Sequence, residues 1–154
     1  MSFVLRPMAH ADIESIMPVE KELFAGDPAW TAELFASELD GVPETRWYVI
    51  AETHAGEIAG YAGLMASVDT ADVQTIGVVP GYQRQGLGTM LLDALIDEAR
   101  RRRVADVLLD VRADNRPALA FYRAHGFEQI ARRRGYYGNG RNDGLVLRRR
   151  LVRG

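Results

Sequence analysis

Between residues 78 and 89 the chain changes its hydrophobic period, and that change restricts the fold more than any other feature. Upstream, residues 47–52 and 58–65 are rich in β-branched and aromatic side chains and are joined by a turn at His54-Ala55-Gly56, the pattern of a β-hairpin. Residues 72–79 predict a third strand, and Gly77 inside it marks a bulge or a close approach by another backbone or a ligand. Downstream, Leu87, Leu91, Leu92, Leu95, Ile96 and Ala99 recur at helical spacing over residues 87–103. A strand that runs into a helix through so short a loop packs against that helix, so the chain is neither all-helical nor all-β.

The remaining elements follow the same reasoning. Residues 2–6 predict a short strand ended by Pro7, and residues 10–24 a helix with Asp12 as a cap and a kink or split at Pro18. The loop Ala25-Gly26-Asp27-Pro28 leads to a second helix over 31–39. Residues 104–111 predict a strand, 117–125 a short helix stopped by Gly126, and 127–132 and 145–151 two closing strands around a loop over 136–144. The result is an α/β chain: a mixed, mostly antiparallel sheet flanked by helices, with 154 residues forming a single domain over 1–154.

Composition removes several functions. The chain has no cysteine, which excludes a disulfide scaffold, a thiolate zinc site, an iron–sulfur cluster and a cysteine nucleophile. His10, His54 and His125 are scattered without metal-ligand spacing, and no G-x-S-x-G elbow is present; no metal is expected. No apolar run approaches the ~20 residues of a membrane span, and the first thirty residues lack a secretory pattern, so a cytoplasmic protein without membrane contact is expected. Charge is uneven: residues 1–83 carry thirteen acids against three bases, and residues 132–154 eight arginines against Asp143. Those arginines alternate with Tyr136, Tyr137, Leu145, Val146 and Leu147, which reads as an ordered strand with a charged face rather than a nucleic-acid-binding arm. Arg100 to Arg103 read as a solvated helix end suited to the helix dipole.

The segment from Val78 to Thr89 also carries the chemistry. A glycine-bearing loop opening directly into a helix collects unpaired N–H groups at one point, which makes an anion site. A P-loop needs a lysine that is absent, and a dinucleotide fingerprint needs a third glycine where Leu91 stands. The spacing is instead Gln83-x-x-Gly86-x-Gly88. That pattern, after a strand with an internal glycine, resembles the acetyl-CoA motif of the GNAT acetyltransferase superfamily. The resemblance implies the GNAT fold, whose central sheet contains a bulged, splayed strand. It implies acetyl-CoA as cosubstrate, with Ile76, Gly77 and Val78 along the pantetheine arm. Arg84, Gln85, Gly86, Leu87, Gly88 and Thr89 would then surround the pyrophosphate.

A second region extends the resemblance. Asp110-Val111-Arg112-Ala113-Asp114-Asn115, followed by Ala120-Phe121-Tyr122 and Gly126-Phe127, looks like the second half of the GNAT motif. Asn115 and Tyr122 are seven residues apart, two helical turns, so they share one face if the helix begins near Asn115. By resemblance Asn115 bonds the cofactor arm, and Tyr122 touches the cofactor and protonates the leaving thiolate; a helix cap and a core tyrosine are the alternatives. Pro28-Ala29-Trp30-Thr31 with Phe35, and Arg133-Arg134-Gly135-Tyr136-Tyr137, resemble segments of the bacterial ribosomal-protein-alanine N-acetyltransferases (RimI type). There Trp30, Tyr136 and Tyr137 would meet the substrate. Where that subfamily has a glutamate base, this chain has Asp110, one methylene shorter, so a bridging water is expected.

Asp110 and Tyr122 are therefore the candidate catalytic pair, and the Val78 amide the group that polarises the thioester carbonyl. The expected reaction is direct transfer of acetyl to a primary amine. An α-amine, with pKa near 7.7–8.0, costs about 1 kcal/mol to deprotonate at pH 7, and a lysine amine about 4–5 kcal/mol. A weakly placed base thus favours the N-terminus of a peptide or protein, such as a ribosomal protein. Two alternatives stay open: a small-amine acetyltransferase acting on a polyamine or antibiotic, and a non-catalytic acyl-CoA-binding module. Monomer and homodimer are both compatible with the sequence.

Overall fold

A computed structural model describes residues 2–25 and 30–151. Seven strands, β1 (Val4–Pro7), β2 (Arg46–Glu52), β3 (Ile58–Ala66), β4 (Thr70–Val78), β5 (Asp106–Arg112), β6 (Glu128–Tyr137) and β7 (Asn142–Arg150), form one sheet in the order β1-β2-β3-β4-β5-β7-β6. Neighbours run antiparallel except β4 and β5. Four helices flank the sheet: α1 (Ile13–Leu23), α2 (Ala32–Asp40), α3 (Leu87–Arg101) and α4 (Arg116–Ala124).

The apolar stripe of α3 explains its placement. Leu87, Leu91, Leu92, Leu95, Ile96 and Ala99 are all buried in one cluster with Leu64, Val107 and Leu147 of the sheet. Each fully buried leucine contributes about 1.5–3 kcal/mol. The opposite sheet face packs Tyr48, Ile50 and Tyr61 against Ile16 of α1 and Phe35 of α2. Helix α2 starts where Thr31 Oγ1 accepts the Leu34 N–H at 3.0 Å, a side-chain N-cap.

Two glycines of β3 and β4 serve as sockets for rings. A Cβ on Gly63 would lie 2.0 Å from the Tyr48 ring, and one on Gly77 2.4 Å from the Tyr61 ring; these are cross-strand pairs. Gly77 is thus explained by packing, and the bulge sits elsewhere. In the β3–β4 register Gly63 pairs with Thr75 and Leu64 with Val73, leaving Gln74 as the extra residue. Consequently Gln74 and Thr75 both reach the α1/α2 face. Gln74 donates to Glu38 Oε1 at 3.0 Å and Thr75 to Glu20 Oε1 at 2.9 Å.

Several expectations change. Pro18 lies inside α1, which continues to Leu23 without splitting. Asp12 puts no side-chain cap on α1; it accepts the Ala9 N–H and two Arg6 nitrogens instead. Tyr136 and Tyr137 belong to β6, and Asn142 to Gly144 to β7, so the predicted loop shrinks to residues 138–141. Nor is the end of α3 merely solvated: Arg102 donates to the Pro43 and Glu44 carbonyls, and Arg101 stacks over Trp47.

Candidate active site

The site exists because β4 and β5 part. They pair at three positions, Thr70–Asp106, Ala71–Val107 and Asp72–Leu108, and beyond Asp72 the two strands splay. Val79 N–H donates to Ala59 of the neighbouring hairpin strand, so by strand alternation the N–H groups of Val78 and Ile76 turn toward the gap. The Val78 carbonyl accepts from Gln83 Nε2 at 3.2 Å, which gives the glutamine of the loop motif a structural role: it ties the loop to the end of β4.

A cavity of about 340 Å³ fills this gap and reaches both faces of the sheet. On the α4 side it is lined by Asn115 and Tyr122, on the other by Glu20, Trp30, Tyr136 and Tyr137, with Ile76 and Asp110 along the parted strands. The two-turn spacing of Asn115 and Tyr122 therefore does bring them to one surface. Trp30 is anchored by Phe35, ring centroids 4.6 Å apart; the Pro28-Ala29 part of its segment lies outside the described residues. Gly77, Val78 and the loop over 84–89 do not line this cavity.

Tyr122 is clamped edge-on between Phe121 and Phe127, at 5.2 and 5.6 Å. Burial pushes its pKa up to about 12, because the phenolate would lose its hydration. Asn115 caps α4, its Oδ1 accepting the Ala118 N–H at 3.2 Å; the cap and the cavity wall are one residue. Asp110 accepts from Arg133 Nε at 3.0 Å on the open face of the sheet. Nearby, burial and then the charge of Asp110 raise the pKa of Asp72.

Glu20 is the residue the sequence reading missed. Its side chain is almost fully buried, and Oε1 accepts both the Tyr61 hydroxyl at 3.0 Å and the Thr75 hydroxyl at 2.9 Å. Burial raises its pKa, against the lowering effect of those two bonds. Glu38 shows the contrast: burial would raise it too, but bonds from Gln74, Arg46 and Tyr48 together bring it below the ordinary value. A charged residue on the inward stripe of an amphipathic helix was the available signal.

The loop after β4 suits a phosphate. Arg84 and Gly86 both have positive φ, 63° and 80°, and Gly86 caps α3 without any side-chain hydrogen bond. The first capping bond runs from Met90 N–H to Gly86 O, which leaves the N–H groups of Leu87, Gly88 and Thr89 for an anion. Space is kept open: a Cβ on Gly86 meets nothing within 4 Å, and one on Gly88 only Phe121 at 3.6 Å. The Leu87 side chain is core. The Thr89 hydroxyl pairs with His125 Nε2 at 3.2 Å, so what Thr89 offers the loop is its N–H. Among the described residues no group of three or more His, Asp and Glu side chains could hold a metal ion, and no helix is long and apolar enough to cross a membrane.

Known proteins share this fold. Residues 12–127 match the acetyltransferase (GNAT) family. The N-alpha-acetyltransferase RimI of Mycobacterium tuberculosis is 37% identical over 92% of this chain and 89% of its own. The [ribosomal protein bS18]-alanine N-acetyltransferase of Escherichia coli K12 is 39% identical over 77% and 78%. The crystal structure of the Escherichia coli ribosomal-protein-S18-alanine N-acetyltransferase superposes with a TM-score of 0.85 at 30% identity, covering 99% of this chain and 96% of that one. The family match spans most of the chain and the fold superposes over nearly all of it, so the chain belongs to the GNAT family of acetyl-CoA-dependent N-acetyltransferases.

Proposed function

We propose that the acceptor is the N-terminal α-amine of a protein, with a ribosomal protein the favoured class. The observation that carries this is the cavity reaching both sheet faces: it lets an acyl donor enter past Tyr122 and a peptide enter past Trp30, Tyr136 and Tyr137. The relatives named for ribosomal-protein alanine acetylation support the same acceptor.

Acetyl-CoA supplies the activated acyl carbonyl. The N–H groups of Leu87, Gly88 and Thr89 hold its pyrophosphate, with the side chain of Arg84 beside them, while Gln85 and Gly86 shape the approach. Ile76, Gly77 and Val78 offer the pantetheine arm a free strand edge, Asn115 adds its amide N–H group, and the Val78 N–H polarises the carbonyl. Glu20, with Oε1 already occupied by two hydroxyls, receives the acceptor ammonium in an acidic recess. Asp110 takes the amine proton through water, and Arg133 keeps that carboxylate oriented. Tyr122 keeps its proton far above neutral pH and donates it to the departing sulfur.

Peptides with N-terminal alanine should be acetylated well above matched peptides whose only free amine is a lysine side chain, because the α-amine is about 3.5 kcal/mol cheaper to deprotonate at pH 7. Mass spectrometry of the two products at equal concentration tests this. A lysine preference, or turnover on free small amines alone, would assign the protein to small-amine or lysine acetylation instead.

A further inference from the structure

The two tyrosines of the cavity wall are consecutive residues of a strand, which would ordinarily point to opposite faces. They share a face because β6 loses register. Arg133 pairs with Gly144 and Tyr137 with Asn142, so Arg134, Gly135 and Tyr136 stand opposite the single residue Asp143. Gly135 makes the turn possible with φ 61°. Gly144 makes the space: a Cβ there would lie 3.0 Å from Tyr137 Cε2 and 3.2 Å from Tyr136 Cδ2. The rings then meet edge to face at 4.9 Å, and both line the cavity.

Asp143 holds this bulge from the opposite strand. Its Oδ1 accepts the Gly135 N–H at 2.9 Å and its Oδ2 accepts Arg132 Nε at 2.6 Å, so one carboxylate spans the distorted segment. Its own carbonyl accepts the Ala113 N–H at 2.9 Å, which fixes the latch to the chain just beyond β5 and Asp110. Adjacent to the bulge, Arg133 bonds Asp110 and lies over the Tyr136 ring at 5.4 Å. The bulge is therefore tied at one end to the candidate base and at the other to the acceptor wall.

We infer that Asp143 is a positioning residue for the acceptor: by latching the β6 bulge it sets how Tyr136 and Tyr137 close over the incoming peptide. This rests on the reading that the tyrosine pair meets the acceptor. Asp143 touches neither cofactor nor reacting atoms, so its effect falls on acceptor binding and leaves the cofactor loop alone.

The test uses the full chain and a peptide with N-terminal alanine. Asp143→Ala should raise the peptide KM about tenfold, the scale of losing a charge-assisted hydrogen bond. Acetyl-CoA affinity by calorimetry should be unchanged, and kcat should shift less than KM. Asp143→Asn, which still accepts the Gly135 N–H, should recover part of the loss, a rescue that a generally weakened hairpin would not give. Tyr136→Ala and Tyr137→Ala separate the two levels of the argument. If both tyrosine variants leave the peptide KM unchanged, the acceptor-wall reading and the latch fall together. If they raise it while folded Asp143→Ala and Asp143→Asn do not, the latch alone is overturned.

Discussion

The two sides of β4 differ sharply. Toward β3 it pairs at seven positions and lies under α1, α2 and α3. Toward β5 it pairs at three and then stops. One strand thus carries a closed seam, where Gly77 seats the ring of Tyr61, and an open seam, where backbone donors face a cavity. Unpaired strand edges are usually covered or blunted. Here the open one borders a cavity lined by Glu20, Gln74 and Thr75 at the bulge and by Tyr122 of α4.

Substitutions can break each seam separately. The largest effect belongs to the open seam: Tyr122→Phe should lower kcat by about 10²–10⁴-fold with acetyl-CoA affinity nearly intact, the usual range for a lost general acid. Turnover within about threefold of the parent, with chemistry rate-limiting, would make Tyr122 a packing residue. Next comes the closed seam. Gly77→Ala forces a Cβ into the buried Tyr61 ring and should cost about 1–3 kcal/mol in urea unfolding. A smaller loss is expected at the phosphate loop, where Gly86→Val should raise the acetyl-CoA Kd about tenfold by calorimetry, as the side chain fills the anion's approach.

The smallest effect sits where the seams meet. Burial gives Glu20 a higher pKa folded than unfolded. Such a carboxyl favours the folded state at low pH and costs stability as pH rises through its folded pKa. Glu20→Gln should therefore match or exceed the parent in stability at about pH 8, with the difference shrinking near pH 4, the ordinary carboxylate range. Peptide turnover should fall in the same variant. A variant less stable than the parent at pH 8 would show that the hydroxyl bonds outweigh the cost of burying the charge.

Most of the closed seam was legible in the sequence, since alternating runs, the α3 stripe and the hairpin turn are local signals. Asn115 and Tyr122 were legible because two helical turns fix their common face. What stayed hidden is non-local. Gly77 signalled a close approach, but only the β3 register identifies Tyr61 as the partner. The bulge at Gln74 has no glycine to mark it. Glu20 reads as a charged residue on a helix until Thr75 and Tyr61 are seen bonding to it. Tyr136 and Tyr137 looked like loop residues because the long bulge of β6 disguises its period.

The three-pair seam has a consequence for the lifetime of the protein. On the proposed reading the cosubstrate lies along the part of β4 left unpaired beyond Asp72, so part of the cohesion of the sheet would come from a metabolite. Linkage adds RT ln(1 + [L]/Kd) to the unfolding free energy, about 2.7 kcal/mol when the ligand stands at a hundred times its Kd. The enzyme should accordingly melt at a higher temperature, and resist proteolysis longer, with acetyl-CoA present than without it.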